Sequence, residues 1–446
     1  MTSTTRLSRG PMIPVRTLRV EVLSGPDAGR TVETEDEVLT VGTAPGNALR
    51  LTDDTVSRFH LELSGGENGV SVTDLGSSNG TASGPVRIER GVVASGAELR
   101  LGNTKLCVRD GDASVVELHA DEELDELKGK TEVMRRLMAQ VTTAARSTVP
   151  VLAIGESGTG KELVARAVHH SGPRASGPFV TLDCAALAPN LVASELFGHE
   201  RGAFTGADRQ HVGAFERASG GTLFLDEIGE LPAEFQPQLL GALERKRFRR
   251  VGGRNEIDVD VRIVCATNRD LRAEVNAGVF RLDLYYRIAV VVLRIPALRE
   301  RAADIPILAA HFLRECGHDG ALEEVLPEPV MQQLQVHRWP GNVRELRNWV
   351  EATVAMGESP PLSMHEPSGT SKAAAASDAP SEPDQSEVYG LSYKDARRTV
   401  LEAFELRYVT RLLAAAGGNV AAAARQAQMD RTYLIKLVQR HGLRTR

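Results

Sequence analysis

Between residues 17 and 108 apolar and polar positions alternate in short bursts, as in Leu18-Arg-Val-Glu-Val22, Val70-Ser-Val72 and Leu99-Arg-Leu101, with clusters of Gly, Asn, Asp and Ser between them. A period of two with one apolar face predicts β-strands. Many short strands separated by turn signals predict an all-β sandwich over residues 13–112. After an acidic stretch at Asp121, Glu122, Glu123, Asp125 and Glu126, the pattern changes to apolar strand-like runs alternating with helical segments. That alternation predicts an α/β module with a parallel sheet over residues 128–357, its last part (about 299–357) purely helical. Residues 358–390 are rich in Pro, Ser, Ala and Gly and cannot bury enough apolar surface to fold, so a flexible linker is expected there. Residues 391–446 read as an all-α module, broken at Gly417-Gly418-Asn419 and again near Gln428 to Asp430.

Composition changes this picture in two places. A chain of 446 residues with 42% apolar and 25% charged positions has material for several cores. The net charge of -6 hides an uneven distribution: residues 391–446 carry 11 Lys/Arg against 4 Asp/Glu, a net +7, which leaves -13 on the rest. A basic charge run by itself is weak evidence for a nucleic-acid partner and is more often a solvated face than a binding surface. The cysteines Cys107, Cys184, Cys265 and Cys316 are far apart and form no C-x-x-C pair, as expected for a reducing cytoplasm. Residues 2–14 lack the apolar core of a secretory leader and there is no 18-residue apolar run, so neither secretion nor a membrane span is expected.

The strongest chemical signal lies in the α/β module. Residues 150–154 (Pro-Val-Leu-Ala-Ile) read as a buried strand and the residues from Glu162 onward as a helix. Between them Gly155, Glu156, Ser157, Gly158, Thr159, Gly160 and Lys161 form G-x-x-x-x-G-K. Glycines let backbone N–H groups turn toward phosphates, the helix N-terminus adds its positive end, and a lysine neutralises the β and γ charges. The bland reading is a glycine-rich turn without nucleotide. Glu162 stands where a Ser or Thr usually supplies a hydroxyl to Mg²⁺. Downstream, Gly221-Thr-Leu-Phe-Leu225 reads as a strand that ends in Asp226 and Glu227, a carboxylate pair suited to holding Mg²⁺ on the first and polarising water with the second. Loop and pair together predict ATP hydrolysis.

GESGTGKE from Gly155, GAFTGA from Gly202 and GGTLFLDEIGELP from Gly220 resemble the bacterial enhancer-binding proteins, the AAA+ activators of sigma-54 RNA polymerase. In that family a Glu after the phosphate-loop lysine is usual, so Glu162 fits. The resemblance implies ATP and Mg²⁺ as cofactors, with Asp226 on the metal side, Glu227 as base for the attacking water, and Thr267-Asn268 as a sensor of the γ-phosphate. It also implies a second sensor in the lid, Arg344, within Trp339-Pro-Gly-Asn-Val-Arg-Glu-Leu346; Trp339 itself is expected in the lid core. Arg281 and Arg287 match the paired arginines that reach a neighbouring subunit's site in a ring, expected to be a hexamer. Gly202, Ala203, Phe204, Thr205, Gly206 and Ala207 match the loop that grips sigma-54, and the basic run Arg245 to Arg250 resembles a second pore loop or else a solvated face. Asp183 departs from the family, which commonly has Asn there. A carboxylate facing Glu227 would repel it, and a cap on the following turn is the alternative role.

In the sandwich, Gly42, Ser57-Arg58-Phe59-His60 and Ser78-Asn79-Gly80-Thr81 resemble the forkhead-associated (FHA) domain, which binds phosphothreonine peptides. The resemblance places Ser57 and Arg58 on phosphate and Asn79, beside Ser78, on the peptide backbone, with His60 bracing the loops. Thr43 stands where that family has Arg, and a scaffold or an altered ligand is the alternative. In the C-terminal module, Asn419 as cap and a turn at Gln428 to Asp430 resemble the Fis-type helix-turn-helix. Arg431, Thr432, Tyr433 and Lys436 then point to the major groove of double-stranded DNA. The combined expectation is a cytoplasmic sigma-54-dependent regulator that binds upstream DNA, remodels the closed polymerase complex with ATP, and answers to a phosphothreonine-containing protein. Its rivals are a DNA-binding repressor with a vestigial motor and a general AAA+ chaperone.

Overall fold

The computed structural model describes residues 10–34, 38–66, 69–188, 191–318, 320–362 and Leu434. Of the expected linker only residues 358–362 are described, and they lie on the lid, where the Trp349 indole N–H donates to the Pro360 carbonyl and Leu362 packs against the lid core; the rest of the linker and the helix-turn-helix residues Arg431, Thr432, Tyr433 and Lys436 lie outside the described residues. The described residues between 10 and 362 form one compact unit. In its N-terminal part, two sheets face each other. One has six strands in the order Thr31–Thr34, Met12–Ser24, Thr104–Glu117, Ala97–Leu101, Thr81–Ser83, Val86–Ile88. The other has five: Leu49–Arg50, Val38–Gly42, Leu61–Gly66, Gly69–Asp74, Arg90–Val93. The alternation read from sequence decides which side chains meet. Leu18, Val20 and Val22 point inward opposite the face formed by Leu39, Val41, Leu61, Leu63, Val70 and Val72, and all are buried. The pairs Val20 with Val108 and Val22 with Leu106 fix the register, because a slip of one residue would turn this apolar face to water.

The central module is a five-stranded, wholly parallel sheet in the order Phe179–Asp183, Thr222–Asp226, Arg262–Thr267, Val151–Ile154, Val291–Arg294. The strand Val151–Ile154, which leads into the phosphate loop, lies between two neighbours and is buried on both faces, as its unbroken apolar run requires. Glu132–Ala145 and Lys161–His170 cover the sheet. Arg262, at the start of its strand and 1% exposed, donates to the carbonyls of Ala144, Ala145 and Val168, and so satisfies the open C-terminal ends of both helices. Burial lowers its pKa to about 10, which still leaves it charged at neutral pH.

The lid packs helices Ile305–Glu315, Glu328–Val336 and Asn342–Met356 around Trp339, which is fully buried and donates its indole N–H to the Leu334 carbonyl. Trp339 is thus lid core. One buried carboxylate joins lid to sheet module: Asp304 accepts from the N–H groups of Lys130 and Thr131 and from the Thr131 hydroxyl at 2.8, 2.9 and 2.7 Å, holding the start of the helix Glu132–Ala145. Asp304→Ala strands three donors, so urea unfolding is expected to show a loss of about 2–4 kcal/mol, with Asp304→Asn losing less. A loss below about 0.5 kcal/mol in the same titration would contradict this account.

Candidate active site

Every component of the phosphate-binding motif lies at the C-terminal edge of the parallel sheet. The strand ends at Ile154, the loop turns through Gly158 and Gly160 at φ of 77° and 103°, and the helix begins at Lys161. Both angles lie in the left-handed region where side chains are strained. Gly158 is constrained by space as well: a Cβ there would sit 2.3 Å from the Gly341 carbonyl oxygen. Its own carbonyl accepts from the N–H groups of Val343 and Arg344 at the start of the lid helix. Loop and lid are therefore joined through backbone, and the Arg344 guanidinium lies 3.2 Å from the Ser157 hydroxyl. Glu156 is held by Arg299 at 2.6 and 2.8 Å and by Asn342 at 3.1 Å, and these hydrogen bonds, Arg299's first, keep its carboxyl below the usual range. Thr159 turns its hydroxyl back onto the Glu156 carbonyl, and Glu162 faces outward to pair with Arg166 one helical turn on. Glu162 thus points away from the loop.

The carboxylate pair sits at the end of the strand Thr222–Asp226, separated from the loop's own strand by Arg262–Thr267. Lys161 Nζ lies 3.0 Å from Glu227 Oε1 and 3.2 Å from the Gly155 carbonyl. Glu227 adopts φ 48° and its other oxygen accepts from the Asn268 N–H at 3.0 Å, so the strand end and the Thr267-Asn268 segment are in direct contact. Asp226 has its pKa raised by burial first and by the charge of Glu227 second. Asp226 is subject to the negative charge of Glu227 and Asp183 and to the positive charge of Lys161, which itself pairs with Glu227. Among the described residues no group of three or more His, Cys, Asp and Glu side chains could hold a metal ion, so a Mg²⁺ here would rest on Asp226 without an all-protein cage. Asp183, paired in register with Asp226, directs Oδ1 at the N–H groups of Ala185 and Ala186. It caps the following turn, and its hydrogen bonds do not go to Glu227.

GAFTGA forms a closed loop in which the Gly202 N–H donates to the Ala207 carbonyl and the Ala207 N–H to Phe204. Gly202 and Gly206 are at φ 81° and 99° with open space around them. Phe204, 39% exposed, stands edge-on to His199. Three of the five basic residues in the run from Arg245 to Arg250 fold back onto acidic partners. Arg247 pairs with Asp258, Arg249 with Glu256, and Arg250 with Glu200 and Glu216. Glu200 N–H also donates to the Val251 carbonyl, so this hairpin braces the base of the GAFTGA loop. Sequence patterning had no signal for that bracing, because the paired acids are distant in the chain. Arg281 pairs with Asp283 and Arg287 donates to the Leu243 carbonyl, both at the ends of the short helix Leu282–Ile288.

Residues 127–294 match the family profile described as the Sigma-54 interaction domain, and residues 299–383 match an AAA+ ATPase lid domain. The chain is similar to the transcriptional regulatory protein GlrR of Escherichia coli, 44% identical over 319 residues that make up 70% of this chain and 67% of GlrR. The Nif-specific regulatory protein of Azotobacter vinelandii is 54% identical over 230 residues, 52% of this chain and 44% of its own. A solved structure of NtrX from Brucella abortus in complex with ADP aligns at 34% identity and TM-score 0.51, covering 72% of this chain and 70% of that one. This chain belongs to the sigma-54 interaction family of transcriptional regulators. It spans about half the length of other curated relatives it matches, such as the Nif-specific regulatory protein and the NtrC regulator of Azospirillum brasilense.

Within this sigma-54 regulator the N-terminal module is a two-sheet β-sandwich, and residues 21–112 match a profile described as the cytoplasmic domain of an inner membrane component of T3SS. Its candidate ligand residues share one end of the sandwich. The Ser57 hydroxyl accepts from the Ser78 N–H, and Asn79 donates to the Thr55 carbonyl. His60, fully buried, accepts from the Ser57 N–H through Nδ1 while Nε2 faces the Gly80 carbonyl at 3.3 Å. Burial lowers its pKa, so it braces the loops as a neutral ring. At Gly42 a Cβ would lie 2.1 Å from the Arg58 carbonyl oxygen, which explains the glycine. Arg58 is exposed, and a groove of about 390 Å³ beside Asn79 is lined by Arg87 and Arg100 together with Thr55 and Asn103. These two arginines carry no motif, and only the sheet order brings them to the groove. Among the described residues no helix is long and apolar enough to cross a membrane.

Proposed function

We propose that this chain is an ATP-driven activator that remodels the closed complex of sigma-54 RNA polymerase from upstream DNA sites, as a ring of identical subunits in the cytoplasm. The observation that carries the reading is the contact of Lys161 and Asn268 with Glu227 on the module that also presents the GAFTGA loop. One end of the module is arranged for phosphate chemistry and another for a protein partner. In this mechanism the phosphate-loop N–H groups and Lys161 bind the nucleotide phosphates, with Ser157 and Arg344 closing the lid side. Glu227 takes the proton of the attacking water, while Asn268 holds the carboxylate in place. Mg²⁺, held by Asp226, supplies charge neutralisation for the phosphates when bound. Arg281 and Arg287, whose hydrogen bonds go to Asp283 and Leu243, serve the site of a neighbouring subunit, where a guanidinium makes hydrolysis depend on assembly.

The C-terminal module binds double-stranded DNA through Arg431, Thr432, Tyr433 and Lys436, and the sandwich takes a phosphothreonine-containing protein on Ser57, Arg58, Ser78 and Asn79. Transcription in vitro from a sigma-54 promoter tests the whole reading: open complexes are expected only with hydrolysable ATP. Polymerase opening without this protein's ATP turnover would sink it. For the sandwich, Arg58→Ala is expected to weaken binding of phosphothreonine peptides at least about tenfold, as loss of a charge-assisted contact should. Equal binding of phosphorylated and unphosphorylated peptides by the unaltered chain would remove the sensor role.

A further inference from the structure

The apolar residues at the ligand end of the N-terminal sandwich do not join the sandwich's own core. Ala44, Phe59 and Leu75, each under 5% exposed, belong to the core cluster of the ATPase module instead. They come from three loops, and two of these loops carry Ser57, Arg58, Ser78 and Asn79. The Phe59 ring meets Tyr285 edge-on with centroids 5.2 Å apart and lies 6.3 Å from Tyr286. Asn276 grips both backbone polar groups of Phe59: its Oδ1 accepts from the N–H at 3.3 Å and its Nδ2 donates to the carbonyl, and also to the Leu75 carbonyl at 2.9 Å. The Tyr286 hydroxyl donates to the Pro45 carbonyl. On the next strand, Glu62 receives two guanidiniums, Arg272 at 2.5 Å and Arg294 at 2.6 Å. Arg272 is only 8% exposed, so this pair is largely shielded from salt.

The ATPase surface so covered is the helix pair Leu271–Asn276 and Leu282–Ile288. Arg281 caps the second helix one turn before Tyr285, and Arg287 directly follows Tyr286. A neighbouring subunit that received these arginines would have to approach the face on which the sandwich sits. We propose that the sandwich is an intramolecular cap on this arginine-bearing helix, and that a phosphorylated ligand at Ser57 and Arg58 opposes the cap and frees the helix for assembly. The coupling follows from the shared loops. Drawing Ser57 and Arg58 around a phosphate moves the neighbouring Phe59, which is anchored to the ATPase by Asn276 and Tyr285. A ligand and a docked partner that need different positions of one loop weaken each other by the same factor. The proposal rests on the reading that Arg281 and Arg287 act across a subunit boundary.

A reversible staple tests it in the full chain. An ideal Cβ on Gly76 lies 4.0 Å from the Ala273 Cβ, within the span of a disulfide. Gly76→Cys with Ala273→Cys, in a Cys316→Ser background because Cys316 is the exposed thiol among the described residues, should therefore crosslink on oxidation. Oxidised protein is expected to stay unassembled in sedimentation and to hydrolyse ATP at least about tenfold more slowly than the same protein after reduction. Its affinity for a randomised phosphothreonine peptide mixture should fall by a similar factor. Glu62→Arg should do the reverse, lowering the concentration at which the chain assembles, and Arg294→Glu should restore the original value. Oxidised protein that assembles and turns over like reduced protein, equal peptide affinity in both forms, or, should the strain of a cysteine at Gly76 (φ 68°) keep the staple from closing, an unchanged assembly concentration in Glu62→Arg overturns the proposal. Reduced protein that neither assembles nor hydrolyses ATP would instead count against the underlying ATPase reading, so the two failures are separable.

Discussion

Glu227→Gln is expected to leave nucleotide bound and to slow hydrolysis by about 10²- to 10⁴-fold, the range for loss of a general base. The amide keeps the shape of the side chain and can still accept from the Asn268 N–H, now 3.0 Å away. It cannot take a proton from water, and it gives up the ion pair with Lys161. Lys161 is then released toward the phosphates, so ATP affinity should hold or rise. Removing the Glu227 charge also removes the second cause of the raised Asp226 pKa, and Asp226 should ionise at lower pH in the variant. Phosphate release under saturating ATP, alongside calorimetric titration of ATP, separates the two effects. A decrease in turnover of less than about tenfold would assign the base to another residue.

Thr205→Ala should break coupling and leave chemistry in place. Thr205 is exposed at the tip of the GAFTGA loop, between Gly202 and Gly206, whose positive φ and open surroundings allow the tip to swing. The loop's base is held by the Arg245 to Arg250 hairpin, and none of its hydrogen bonds reach the phosphate loop. ATP hydrolysis is accordingly expected within about twofold of the unaltered chain, while open-complex formation on a sigma-54 promoter falls by at least about 100-fold. Survival of promoter opening in this variant would put the activator reading in serious trouble. Equal loss of hydrolysis and opening would mean that the loop is part of the ATP site.

Much of this site could be read in advance because its chemistry is local. A strand, a glycine loop and a helix in immediate succession leave little freedom in where the phosphates go, and the structure places Lys161 at the first helical position as that spacing requires. The alternation over residues 17–108 likewise picks out the residues that fill the sandwich core. Asp183 was ambiguous for a physical reason: a carboxylate near Glu227 and a carboxylate capping a turn look the same in one dimension. Only the positions of the Ala185 and Ala186 N–H groups favour the cap. The Arg245 to Arg250 run was ambiguous in the same way, since its partners Glu200 and Glu216 precede it by dozens of residues.

The sequence by itself determined the two cores, the phosphate loop and its carboxylate pair, because periodicity and short-range backbone geometry are encoded in adjacent residues. The tertiary structure alone decided that Glu227 meets Lys161 and Asn268, that Arg87 and Arg100 share the groove beside Asn79, and that Phe59 leaves its own domain to pack on Tyr285. Phe59 looks like any inward residue of a sandwich loop. Which core it enters depends on how two modules meet, and that depends on burial and ion pairing summed over residues more than 200 positions apart in the chain.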